Sequence, residues 1–170
     1  VGSEMCIRDR CNDATKVNPA LPQADRILAD VPCSGLGILA KKPDLRYKKL
    51  EPAREAELLV TQSAILDTAA QLLKAGGRLV YSTCTIDPAE NQQQIAAFLQ
   101  RHPEFALADV LGNVDYTFGS EGEANRTGGL PLDVSKVRRI WPCQGGEGHF
   151  MARLVKAGTP RVLPAEGEYT

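Results

Sequence analysis

Two short apolar runs, each opening into a polar loop, bracket one long stretch of helical spacing. This order constrains the fold more than any other feature of the chain. Arg26–Asp30 (RILAD) runs into Pro32, Ser34, Gly35 and Gly37, the pattern of a buried strand that ends in a loop. Pro52 can open a helix, and Leu58, Leu59, Gln62, Ile65, Leu66, Ala69, Leu72 and Leu73 follow helical spacing until Gly76-Gly77 stops it. Arg78–Thr83 (RLVYST) then reads as a second buried strand, entered through a tight glycine turn and delivering Cys84 to its C-terminal end. Asp87-Pro88-Ala89-Glu90 offers an N-cap, a proline at the first helical position and a glutamate at the third. A second helix is therefore predicted from there to about Arg101, with Glu90 as the capping-box partner and His102-Pro103 as the stop. Further strands are expected at Phe105–Val110 and His149–Val155. Strand, helix, strand and helix joined by short links predict an α/β fold with a parallel sheet. Gly112–Ser135 is Gly-rich, polar and too long for an idle connection, so it reads as a lid, a partner-binding loop or an unstructured segment.

Composition narrows the function classes. A chain of 170 residues, 43% hydrophobic and 24% charged, suits one globular domain. Its apolar runs are far too short for a membrane span. The net charge of −1 excludes a globally basic nucleic-acid binder and leaves room for a local basic patch. Lys41–Lys49 (KKPDLRYKK) is such a patch, with a net charge of +4. The 5 cysteines (Cys6, Cys11, Cys33, Cys84 and Cys143) form neither a ligand cluster nor an even disulfide set, so no metal site is expected and a reducing cytoplasm is. No secretory signal is recognisable near the start. Val1–Arg10 resembles a peptide translated from sequencing-adapter sequence and is set apart as non-native, and residues 158–170 read as a loose tail.

The two predicted strands each end near a cysteine, in Asp30-Val31-Pro32-Cys33-Ser34-Gly35 and in Ser82-Thr83-Cys84-Thr85. In an open α/β sheet, ligands bind beyond the carboxyl ends of the strands. A lone buried cysteine is usually a small hydrophobe, whereas a pair at corresponding strand ends points to chemistry. From about Asn12 to Lys156, DVPCSG and GGRLVYSTCTIDPAEN resemble the RNA cytosine-5 methyltransferases of the Sun/NOP2 type. SGLGILAKKPDLRYKK and EGHFMARL resemble the bacterial branch that acts on 16S ribosomal RNA. The departure from the family's motif is Val31, where alanine is usual.

The resemblance implies a Rossmann-like fold that uses S-adenosylmethionine. It is expected to be incomplete here, because the N-terminal strands and the Gly-rich cofactor loop have no counterpart. Residues 11–157 are then the C-terminal part of the catalytic domain, inactive or nearly so alone. Cytosine C5 is a poor nucleophile, so a thiolate must first add to C6, and a second group must then help to remove the C5 proton and expel the thiol. The resemblance implies Cys84 as nucleophile and Cys33 as the second group. It places Asp30 at the cytosine N3 edge, with Asp30, Pro32 and Asp13 beside the cofactor. Asn91 is expected to support the loop after Cys84.

Lys41, Lys42, Arg46, Tyr47, Lys48 and Lys49 are the candidates for RNA contact, with Arg138 and Arg139 as a second small basic point. The target cytosine must be single-stranded or in a loop to reach a thiol in a pocket. A cytoplasmic monomer is expected. Two other readings stay open at this point: a non-catalytic RNA-binding fragment that uses the basic patch, and a DNA cytosine-5 methyltransferase, against which the Thr83-Cys84-Thr85 placement weighs.

Overall fold

The strand order is β1-β2-β5-β3, with the short strand β4 paired to β5. A computed structural model describes residues 10–47, 51–112, 118–144 and 147–158. Within them the strands are β1 (Ala24–Asp30), β2 (Leu73–Thr83), β3 (Phe105–Ala108), β4 (Arg138–Ile140) and β5 (His149–Lys156). The helices are α1 (Pro52–Leu72) and α2 (Gln92–Arg101). The separation of Val1–Arg10, the basic-patch residues Lys48 and Lys49, and all of the tail beyond Gly158 lie outside the described residues, apart from Arg10 itself.

β1 and β2 run parallel, with Ile27 opposite Leu79 and Asp30 opposite Ser82. The sheet as a whole is mixed, which corrects the expectation of a parallel one: β5 is antiparallel to both β2 and β3. The path of the chain explains it. Residues leading into β5 cross the C-terminal end of the sheet, where the Gly148 amide donates to the Gly37 carbonyl at 2.8 Å. A chain that re-enters from that end with no crossover helix must run back antiparallel to β2.

Alternation along the strands places the core on one face. Leu79, Tyr81 and Thr83 of β2 and Phe150, Ala152 and Leu154 of β5 are all fully buried beneath Leu66, Ala69 and Ala70 of α1 and Ile95 and Phe98 of α2. Phe98 stacks on His102 and meets Phe105 edge-on, which locks the end of α2 onto β3. On the opposite face Leu28 is 70% exposed, and Arg26, Arg78, Val80 and Arg153 line a shallow cavity with it.

Both helix boundaries differ from expectation. α1 ends at Leu72, short of the glycine pair, where Leu73 turns extended to begin β2, and Lys156 Nζ reaches over from β5 to donate to the carbonyls of Ala70 and Leu73 at 2.7 and 3.0 Å. Gly76-Gly77 therefore lies inside β2, next to a register shift in its pairing with β1. α2 starts at Gln92, after a turn at Pro88–Asn91, and Glu90 is no capping-box partner. The Asp87 carboxylate accepts from Ala89 N, while the side chains of Glu90 and Asn91 are committed to the loops beyond β1 and β2.

The polar segment before β4 is ordered where it is described. Ser120 bridges to Arg139, and short 3-10 turns occupy Ala124–Arg126 and Val134–Lys136. Arg139 is 1% exposed, so it is not a surface contact for RNA. Its guanidinium donates to Glu123 Oε2 at 2.9 Å and to the Ile86 carbonyl at 2.7 Å, and it lies over the Trp141 ring. This buried cation ties the segment to the loop after β2.

Candidate active site

Parallel pairing of Asp30 with Ser82 brings the ends of β1 and β2 side by side, and the loops beyond them carry the two cysteines into contact. Cys33 Sγ lies 3.2 Å from Cys84 Sγ. Both are half-buried and both line a cavity of about 300 Å³ shared with Asp30, Pro32, Lys42, Leu45 and His149. The sulfurs are neither separated nor sealed in hydrocarbon. Cys11 and Cys143, in contrast, are exposed.

The two thiols are not equivalent. Burial, reinforced by the hydrogen bond with Cys84, pushes the Cys33 thiol up to about 12. At neutral pH Cys33 therefore keeps its proton, and its sulfur shares a hydrogen bond with Cys84 Sγ. This also sets an alkaline limit on stability. The folded chain keeps a proton that the unfolded chain releases near pH 8.5, so the contribution is complete below that pH and is lost as pH rises toward about 12. Tyr81, fully buried, is raised in the same sense by burial first and by Glu90 next. The part due to Cys33 is expected as a flatter loss of urea midpoint between pH 8.5 and 11 in Cys33→Ala than in the wild type. Parallel curves would show that the thiol is not held protonated by the fold.

The loop after β2 is held on either side of Cys84. Asn91 accepts from Thr83 Oγ1 at 2.6 Å and donates to the Thr85 carbonyl at 3.0 Å. Asn91 thus supports this loop as the sequence suggested. Backbone contacts add a second restraint, since Gly37 N donates to the Cys84 carbonyl at 3.0 Å and Gly37 O accepts from Gly148 N. A Cβ on Gly37 would lie 2.0 Å from Gly148 O and 2.7 Å from the Cys84 carbonyl oxygen, so only glycine fits. Gly37→Ala is expected to cost about 1–3 kcal/mol in urea unfolding and to displace the Cys84 loop. An unchanged midpoint would contradict this packing.

A second cavity, of about 320 Å³, shares Asp30 and Pro32 with the first and is lined further by Asn12, Ala14, Leu21, Ile27 and Ile65 among others. Asp30 is exposed and stands at the border of the two. Asp13 is placed differently from its neighbours: its carboxylate accepts from Thr15 and pairs with Lys16, while Asn12 and Ala14 on either side face the cavity.

Of the basic patch, Lys42 lines the thiol cavity, and Arg46 and Tyr47 are exposed, Tyr47 to 87%. Lys41 is ion-paired with Glu147, which also lies 3.4 Å from His149. Sequence reasoning passed over His149 and the hydrogen-bond role of Gln62. The signal available for Gln62 was a polar side chain in the apolar stripe of α1.

Comparison with known proteins gives the family of the chain. Residues 4–155 match the family described as 16S rRNA methyltransferase RsmB/F. A probable ribosomal RNA small subunit methyltransferase B of Synechocystis is 54% identical over 89 residues, which are 52% of this chain and 20% of that protein. Ribosomal RNA small subunit methyltransferase B of Yersinia pseudotuberculosis is 41% identical over 135 residues, 79% of this chain and 27% of that protein. Among solved structures, NSun6 from Pyrococcus horikoshii with SFG aligns at a TM-score of 0.66 and 30% identity, over 87% of this chain and 34% of that one. The chain spans about a fifth to a third of the length of these relatives. The mixed sheet with its thiol-bearing strand ends is part of a Rossmann-like methyltransferase fold, and the chain belongs to the 16S rRNA methyltransferase RsmB/F family.

Proposed function

We propose that this chain is the base-directed part of an S-adenosylmethionine-dependent RNA cytosine-5 methyltransferase that acts on 16S ribosomal RNA in the cytoplasm, working as a monomer. The single observation that carries the reading is the pair of sulfurs 3.2 Å apart in one cavity with Asp30 at its rim. When bound, S-adenosylmethionine supplies an electrophilic methyl group. The residues of the second cavity fit one side of such a molecule: Leu21, Ile27 and Ile65 give an apolar wall for a flat ring, and Asp30 gives an acceptor at the end that faces the thiols. Asp13 contributes through the loop it shapes around Asn12 and Ala14.

The Cys84 thiolate adds to cytosine C6, and the electron pair displaced from the ring makes C5 nucleophilic. Asp30 shares a proton with N3 as negative charge develops there. Once C5 carries the methyl group, its proton passes to water in the open cavity, the C5–C6 double bond re-forms, and the Cys84 Sγ–C6 bond breaks to return the thiolate. Cys33, protonated and touching Cys84, is the relay that supports this last step. Lys42, Arg46 and exposed Tyr47 receive the phosphates and a stacked base beside the cavity mouth, and Lys41, Lys48 and Lys49 add positive charge to the same stretch of sequence.

The test is transfer of a labelled methyl group by the full-length enzyme to cytosine in a single-stranded 16S segment, compared with the same sequence as DNA. Transfer to C5 of the RNA is expected. Labelling of another atom or base, or preference for the DNA, would overturn the reading. Salt-dependent RNA binding without any transfer would favour a binding fragment in its place.

A further inference from the structure

Glu90 is fully buried, yet its carboxylate makes no ion pair with a cation among the described residues. Its Oε2 accepts from the backbone amide of Ser34 at 2.9 Å and from Gln62 Nε2 at 2.8 Å. Gln62, also fully buried, donates in addition to the Pro32 carbonyl at 3.0 Å. The main-chain carbonyl of Glu90 accepts from Tyr81 Oη at 2.7 Å, which fixes this residue to β2. The two partners on the β1 loop, Pro32 O and Ser34 N, lie on either side of Cys33.

We propose that Glu90, with Gln62, is a positioning residue for the thiol pair: it clamps the backbone around Cys33 and so holds that sulfur against Cys84. The physical argument is one of cost. A buried carboxylate is expensive unless its hydrogen bonds are worth having, and an apolar side chain would fill the same space more cheaply if packing were its whole purpose. Glu90 Oε1 and Gln62 Oε1 have no hydrogen-bond partner among the described residues, so the group is held for the contacts of Oε2. Those contacts cross from the loop after β2 to the loop after β1, the two loops whose separation sets the distance between the sulfurs. The clamp deepens the methyltransferase reading, because a displaced Cys33 would impair release of the product more than formation of the covalent bond.

The test uses this chain and phenylarsine oxide, which condenses with two thiols to form two As–S bonds and one water, and withstands excess monothiol only where it bridges two neighbouring sulfurs. The wild-type chain is expected to retain one arsenical, and Cys33→Ala and Cys84→Ala to lose it. Glu90→Ala is expected to retain at least about tenfold less than wild type while its circular dichroism is unchanged, and Glu90→Gln, which can still accept from Ser34 N, to recover retention. Gln62→Leu removes one arm of the clamp and serves should Glu90→Ala not fold; partial loss is expected there.

Wild-type retention in a folded Glu90→Ala, or in Gln62→Leu where Glu90→Ala does not fold, would overturn the proposal, as would failure of Glu90→Gln to recover. In the full-length enzyme, Glu90→Ala is expected to accumulate the covalent RNA complex with kcat lowered and KM little changed. Lack of any covalent complex in the full-length wild type on RNA bearing 5-fluorocytosine would defeat the covalent cytosine reading and leave the arsenical result standing.

Discussion

Cys84→Ala in the full-length enzyme is expected to abolish methyl transfer, with a loss on the order of 10⁴-fold or more, and to leave no covalent complex with RNA. The size of the effect follows from the chemistry. Without addition at C6 the cytosine ring offers no nucleophilic carbon, and no other described thiol stands where it could substitute, because Cys33 is held protonated and Cys11 and Cys143 lie exposed away from the cavity. RNA affinity should change little, since the cations and Tyr47 proposed to receive the RNA are untouched. A filter-binding titration run beside the transfer assay separates the two. Turnover within tenfold of wild type would mean that Cys84 is not the nucleophile.

Cys33→Ala should produce the opposite phenotype at the same site. Addition and methyl transfer remain available to Cys84, whereas release of the methylated base is slowed by about 10²–10⁴-fold, the range for loss of a proton-transfer group. The complex therefore accumulates, visible as a band of reduced mobility on a denaturing gel, and one methyl group is transferred per enzyme before turnover stalls. The asymmetry of the two variants follows from the roles proposed for two sulfurs in contact at 3.2 Å, Cys84 making the bond and Cys33 assisting its release. Equal loss of complex in both would contradict a division of labour between them.

Much of the fold was legible in local pattern. The strand runs at Arg26–Asp30 and Arg78–Thr83 lie within β1 and β2, the helical spacing from Pro52 is α1, and the expected strands from Phe105 and from His149 are β3 and β5. What local pattern could not carry was direction and commitment. Nothing in HFMARLVK says that the strand runs antiparallel; the crossing of Gly148 over Gly37 decides it, a contact between residues far apart in sequence. The sequence Asp87-Pro88-Ala89-Glu90 has every local mark of a helix start, and loses it because Glu90 and Asn91 are used by loops beyond the helix. In the same way Arg139 reads as a surface cation in a linear scan, and is buried because Glu123 and the Ile86 carbonyl receive it.

The site was legible at the level of residue types. Two cysteines after two strands were sufficient to nominate the cavity, and the structure brings both sulfurs and Asp30 to it. The scaffold around them was not legible, because Gln62, Gly37 and Gly148 act through backbone contacts whose partners no spacing rule identifies.

The central claim is that Cys84 makes the bond to cytosine while Cys33 attends it. Its most direct measurement is peptide mapping of the full-length enzyme after reaction with RNA in which the target cytosine bears fluorine at C5, so that the group at C5 cannot leave as a proton and the bond to C6 persists. Mass spectrometry should find the nucleotide on the peptide that contains Cys84, with Cys33 unmodified. A nucleotide on Cys33, or on neither peptide, would contradict it.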